Sequence, residues 1–74
     1  MLHRIIEIIK TIQPYMEIDE QTNLLEDILD STSLLLLVSE LEIEYDISID
    51  MDEIEPSHFI NASCIAAFIE RKLR

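Results

Sequence analysis

The chain has 74 residues, 49% of them hydrophobic, and its 16 acidic side chains against five basic ones give a formal net charge of −11. This length is enough for one small domain, which buries only about 60% of the surface of its unfolded chain, so we expect a single domain over residues 1–74. One cysteine excludes an intramolecular disulfide, and one cysteine with two distant histidines excludes a structural zinc site. No apolar run reaches the roughly 18 residues of a membrane span, and the N-terminus has no signal-peptide pattern, so we expect a cytoplasmic protein that does not insert into membranes.

The charge is unevenly distributed along the chain. All five bases lie in the two terminal segments, whereas residues 11–70 contain every acid except Glu7 and no Lys or Arg. Nucleic acid and anionic membranes are therefore poor partners, because contacts to phosphates require cations, and we expect no nucleic-acid partner. The acidic surface either steers association with proteins that carry basic patches or only provides solubility. We expect a monomer.

The first predicted element is an amphipathic helix over residues 2–13. Its isoleucines fall within one arc at helical spacing, and Pro14 ends it. Residues 14–29 have no clean period and are predicted to form a long first loop. A loop of this length in a small domain either packs through its own apolar residues or serves a function.

The second predicted helix, residues 31–45, has apolar residues on two faces. Five of them cluster on one face and predict the core side, with Leu35 at its border. They are Leu34, Leu37, Val38, Leu41 and Tyr45. Leu36 and Ile43 lie nearly opposite, among Glu40, Glu42 and Glu44. Either they form a docking stripe in an acidic frame, or they are incidentally exposed, or the helix is shifted in phase.

A polar segment, Asp30–Ser33, stands at the start of this helix. Such residues cap a helix by accepting hydrogen bonds from its first N–H groups, although no Glu or Gln completes a capping box here. A serine hydroxyl at this place is also exposed on a rigid element. If Ser31 were esterified to a phosphate, the anion would lie at the positive end of the helix dipole. Both interpretations remain open on spacing alone.

The rest of the chain is predicted to be a linker and a last helix. The linker begins extended and contains a short helical turn around Ser57 to Ile60. Asn61 is a favourable N-cap for a helix over residues 62–73, whose basic C-terminal residues complement its dipole. The predicted fold is therefore an all-α, small antiparallel four-helix bundle, with three main helices and a short third one.

Two segments of the chain together resemble the acyl and peptidyl carrier protein family: ILDSTSLLLLVSELEIEYDISI and IEPSHFINASCIAAFIERKL. The family pattern is an Asp-Ser pair at the start of the second helix, then a Leu-Glu-x-Glu-aromatic run, an alternating Ile segment and a short third helix. Asp30-Ser31, Leu41–Tyr45 and Ile47–Ile49 fit that spacing without a gap. The helix surface looks more like that of stand-alone peptidyl or D-alanyl carriers than like that of fatty-acid carriers.

The resemblance implies that Ser31, preceded by Asp30, is the attachment site of a covalent 4′-phosphopantetheine. Its thiol would hold an acyl or aminoacyl group as a thioester, and the chain itself would catalyse nothing. The implied partners are a phosphopantetheinyl transferase and the enzymes that activate or transfer acyl or aminoacyl groups in fatty acid or nonribosomal peptide biosynthesis. The second helix would be the surface that these enzymes recognise and bind. Its candidate partner-binding residues are Thr32, Ser33, Leu36, Ser39, Glu40 and Ile43.

The alternative is a helical adaptor that keeps the carrier fold and binds partner proteins without a prosthetic group. Two features favour it. Thr32 follows the serine where the family usually has Leu, Met or Phe, and the stretch before Asp30 is one residue shorter than usual and lacks the family's glycine.

Other candidate sites are weaker. Asp46, Asp50 and Asp52 are spaced faintly like a calcium loop, but the sixth position has no glycine and the twelfth is Ser57 rather than Glu; we predict no metal site.

The remaining reactive side chains stand alone in the sequence. His3 and His58 are isolated, and we interpret both as structural or surface residues. Cys64 is expected to be a small core residue of the last helix. Ser31 has no neighbouring His base, which argues against a hydrolytic nucleophile.

Overall fold

The described part of the chain forms four α-helices and two short 3₁₀ turns, joined by loops. The computed structural model describes the backbone of residues 1–74 and every side chain except that of Asp27. The elements are α1 (Leu2–Ile12), α2 (Leu24–Asp27), α3 (Ser31–Tyr45), the 3₁₀ turns Met51–Glu53 and Pro56–His58, and α4 (Ala62–Leu73). α1 packs against both α3 and α4. The radius of gyration is 11.0 Å, close to the roughly 11 Å of a well-packed chain of this length.

The three long helices lie where the sequence predicts them, which confirms a small all-helical bundle. α3 and α4 have the predicted bounds. α1 ends one residue early, because Gln13 precedes Pro14 and leaves the helical region of backbone space at φ −127° and ψ 73°. The short third helix, predicted around Ser57 to Ile60, is a 3₁₀ turn over Pro56–His58, so it starts one residue and ends two residues earlier than expected. Neither α2 nor the turn Met51–Glu53 is predicted by the sequence.

Side-chain contacts show that α1 runs antiparallel to α3. Near the start of α1, Arg4 Nη2 lies 2.9 Å from Glu44 Oε1 at the end of α3. Just after α1, Gln13 Nε2 donates to Ser33 Oγ in the first turn of α3, across 3.4 Å. The N-terminus of α3 therefore lies beside the C-terminal end of α1.

A single core joins the helices and both connecting segments. The long first loop packs through its own apolar residues, as one of its two interpretations predicts, and the linker before α4 adds Ile49 and Phe59. The buried residues are Ile5, Ile8, Ile9, Ile18, Leu24, Ile28, Leu29, Leu37, Val38, Leu41, Ile49, Phe59, Ala62, Ile65, Phe68 and Ile69. Burying these apolar side chains is the main stabilising term for a chain that has no disulfide.

Some side chains lie at the margin of this core. Cys64 is only half-buried, so its prediction as a core residue is wrong; it lies beside the core face of α4. His58 is half-buried, with its ring centroid 4.6 Å from that of Phe68 in a stacked arrangement, which agrees with a structural role. His3 is exposed.

An ion pair joins the first 3₁₀ turn to α4. Lys72 Nζ lies 2.8 and 2.9 Å from the two carboxylate oxygens of Glu53. Glu53 Oε1 also accepts a hydrogen bond from the backbone N–H of Asp50 at 3.0 Å. These contacts, that with Lys72 above all, hold the pKa of Glu53 below its ordinary value. The linker is thus tied to α4 by charge as well as by apolar packing.

Glu53→Gln is expected to lower the melting temperature by several degrees at neutral pH and by less in acid. The pKa of Glu53 is lower in the folded chain than the ordinary value of 4.5. The ionised carboxylate therefore stabilises the fold above that pH, and its contribution is lost as the pH falls through the folded-state pKa. Thermal unfolding followed by circular dichroism at pH 7 and below pH 4 measures the difference. An equal difference at both pH values would contradict the role of this ion pair, and Asp52→Asn, an exposed neighbour, is the matched control.

Candidate functional site

The polar segment Asp30–Ser33 forms the N-terminus of α3. Asp30 is the N-cap: its backbone is extended, its Oδ1 accepts from Ser33 N at 2.8 Å, and its carbonyl oxygen accepts from Leu34 N at 2.9 Å. The Ser33 N–H, followed by the Ser33 hydroxyl, holds the pKa of Asp30 below its ordinary value. The capping interpretation is therefore confirmed for Asp30, whose carboxylate does the capping.

Ser31 is the first residue of α3 and is exposed. Because Asp30 caps the helix, the Ser31 hydroxyl is not required for that purpose. At this position the hydroxyl lies close to the first N–H groups of the helix and to the positive end of its dipole. The position suits an oxygen that receives a negatively charged group.

Ser33 points toward the bundle. It is half-buried, and Gln13 Nε2 donates to its Oγ at 3.4 Å and to the carbonyl oxygen of Ile28 at 2.8 Å. Of the predicted partner-binding residues, Ser33 is thus the one that the structure places against α1. Sequence reasoning missed Gln13, and no local pattern indicates it, because its contacts depend on how α1 packs against α3.

A stripe of two apolar and two polar residues runs along the outer face of α3. We call it the outward stripe: Thr32, Leu36, Ser39 and Ile43, each three or four residues from the next and therefore stacked on one helical face. All four are exposed; Leu36 has 52% and Ile43 76% of its surface exposed. Glu40 is exposed beside them. The structure thus brings together the predicted partner-binding residues other than Ser33.

The opposite face of α3 packs into the core, as predicted. Leu37, Val38 and Leu41 are buried, and Leu34 and Tyr45 are half-buried against them. Leu35, expected at the border, is 50% exposed and widens the apolar part of the outer surface.

Fewer of the acids around the stripe are free of contacts within the fold than the sequence indicates. Glu42 is half-buried, and its Oε2 accepts from the backbone N–H of Ile49 at 2.9 Å, so it holds the linker. Glu44 pairs with Arg4 on α1. Of the three predicted framing acids, two are therefore engaged in contacts within the fold.

Two of the three aspartates in the faint calcium pattern lie at the ends of helical elements. Asp46 ends α3 with a left-handed φ of 52°. In a chain without glycine, Asp is one of the few residues that occupy this region at moderate cost. Asp50 precedes the turn Met51–Glu53. Within the described residues, no three His, Cys, Asp or Glu side chains are grouped so that they could hold a metal ion.

The described site therefore consists of an exposed hydroxyl at a helix start and an apolar stripe that continues along the same helix. The helices of the described chain are all too short or too polar to cross a bilayer. No protein-family model matches the sequence, and no curated protein matches it.

Proposed function

We propose that this chain is a discrete carrier protein, in which Ser31 bears 4′-phosphopantetheine and α3 presents the attached acyl or aminoacyl group to partner enzymes. The observation that carries the proposal is the position of Ser31, exposed at the first turn of the same helix that bears the outward stripe. The resemblance of Asp30-Ser31 and Leu41–Tyr45 to the carrier pattern supports it.

The surroundings of Ser31 fit a phosphodiester. The hydroxyl is accessible, the cap is supplied by Asp30, and the start of a helix favours an anion by about 0.3–1 kcal/mol. In the loading step, Ser31 Oγ forms a bond to the pantetheine-bearing phosphorus of coenzyme A. The pyrophosphate bond at that phosphorus breaks, adenosine 3′,5′-bisphosphate leaves, and the serine proton passes to a base on the transferase. Once attached, the group supplies the thiol that holds the cargo as a thioester.

The rest of α3 would hold Ser31 on a rigid helix and offer partner enzymes a surface to bind. Leu37 and Leu41 anchor one face in the core with no exposed surface. Leu36 and Ile43, on the other face, offer partners apolar contact area. The net charge of −11 favours encounter with partner surfaces that are basic.

Ser31→Ala is expected to abolish loading completely, because it removes the hydroxyl oxygen, Ser31 Oγ, to which the group would be attached. The protein is incubated with coenzyme A and a broad-specificity phosphopantetheinyl transferase, and its intact mass is measured. Wild-type protein should gain the mass of one phosphopantetheine group, and Ser31→Ala none. Thr32→Ala and Ser39→Ala, which remove other exposed hydroxyls of α3, should still be loaded. No mass gain in wild type, or a gain that survives Ser31→Ala, would overturn the proposal.

A further inference from the structure

The geometry points to Gln13 as a positioning residue for Ser31, an inference that rests on the proposed function. Gln13 is half-buried at the C-terminal end of α1. Its side-chain amide donates to Ile28 O at 2.8 Å and to Ser33 Oγ at 3.4 Å. These acceptors lie on either side of Asp30-Ser31 in the chain. One side chain of α1 therefore holds both flanks of the proposed attachment point.

The contact with Ser33 continues to the cap. Asp30 Oδ1 accepts from the backbone N–H of Ser33 at 2.8 Å, so Ser33 contacts Gln13 through its hydroxyl and the cap through its N–H. Gln13 is therefore joined to the N-cap of α3 through one residue, Ser33.

This link matters because the backbone around Ile28 to Asp30 belongs to no helix; α2 ends at Asp27 and α3 begins at Ser31. Ile28 and Leu29 anchor that segment by apolar burial, which is not directional. The Gln13 hydrogen bonds are directional and fix where α3 begins relative to α1. Transfer to Ser31 Oγ requires close alignment of the reacting atoms, and a displacement of about 1 Å can reduce the rate about a hundredfold.

The chain offers a control in which the same kind of glutamine-to-serine contact lies at an exposed position. Gln21 Nε2 donates to Ser63 Oγ, also at 3.4 Å. The chemistry and the distance are those of the Gln13–Ser33 contact, but the acceptor belongs to α4 instead of α3. Gln13→Glu and Gln21→Glu remove the same kind of donor and add the same charge, with little change of side-chain shape.

The experiment compares loading rates of folded variants, measured by intact mass with coenzyme A and the transferase as the carrier concentration is varied. Gln13→Glu should lower kcat/KM for the carrier by about tenfold or more, while the KM for coenzyme A stays unchanged. Gln21→Glu should remain close to wild type. Ser33→Ala should lower kcat/KM in the same direction, and Ser33→Thr, which keeps the hydroxyl, should restore it.

The outcomes separate this inference from the function on which it rests. If wild-type protein is not loaded at all, the proposed function fails and the role of Gln13 falls with it. If wild type is loaded and Gln13→Glu matches Gln21→Glu, only the positioning role is overturned. Should Gln13→Glu fail to fold, the Ser33 pair decides: equal rates for Ser33→Ala and Ser33→Thr would overturn the inference.

Discussion

Leu36→Glu is expected to reduce loading by the transferase about 30-fold or more while the protein stays folded. Leu36 is 52% exposed in the middle of the outward stripe, so a carboxylate there remains hydrated in the free protein. If a partner enzyme covers the stripe, as we propose, the same carboxylate would be desolvated beside Glu40. Loss of a hot-spot contact costs about 2 kcal/mol or more, and about 1.4 kcal/mol corresponds to a factor of ten. The measurement is kcat/KM for the carrier, together with a circular dichroism spectrum.

Two leucines provide the controls for this variant. Leu73→Glu makes the same change at a residue of similar exposure, 50%, at the end of α4, and it should be loaded normally. Leu37→Glu makes the same substitution one residue further along α3, at a side chain with 0% exposure. This variant should unfold, because it would bury an unpaired charge. A collapse of the melting temperature in Leu36→Glu would show that Leu36 belongs to the core. Normal loading of Leu36→Glu would show that the stripe does not contact the transferase.

Phe59→Ala is expected to remove about half of the stability of the protein. Phe59 lies in the linker after the second 3₁₀ turn and has no exposed surface. Its ring packs 5.8 Å from that of Phe68 on α4, centroid to centroid. Truncating a buried Phe costs about 3–5 kcal/mol, and a chain of this length has a total of about 4–11 kcal/mol at typical stability per residue. The linker is therefore a structural part of the domain.

Urea unfolding of wild type, Phe59→Ala and Phe59→Leu measures this cost. Phe59→Leu keeps most of the apolar volume and should lose much less stability than Phe59→Ala. Equal midpoints for wild type and Phe59→Ala would contradict the position of Phe59 in the core.

Helix positions could be predicted because the signals for them are local. Asp30 and Asn61 cap the two helices that they precede, with hydrogen bonds of 2.8 Å to Ser33 N and Cys64 N respectively. The period of the apolar residues in α3 also places Leu36 outward and Leu37 inward. α2 has only four residues, too few for a period to show, so the sequence indicates a loop there.

Contacts of polar side chains could not be predicted, because they depend on packing between distant segments. Gln13 and Ser33 are 20 positions apart and meet only when α1 lies antiparallel to α3. Glu42 contacts the linker because its carboxylate accepts a hydrogen bond from the backbone N–H of Ile49. The candidate attachment site, Ser31, and its neighbouring cap, Asp30, could be identified from the sequence. The contact of Gln13 with this region could be identified only from the fold.

The most direct test of the carrier proposal is the intact mass of the protein purified from its native host. A carrier is expected to be heavier than its sequence by one phosphopantetheine group, and peptide mapping should place that group on Ser31. A mass equal to that of the bare chain, in a host that loads its other carriers, would contradict the proposal and favour a helical adaptor that binds partners without a prosthetic group.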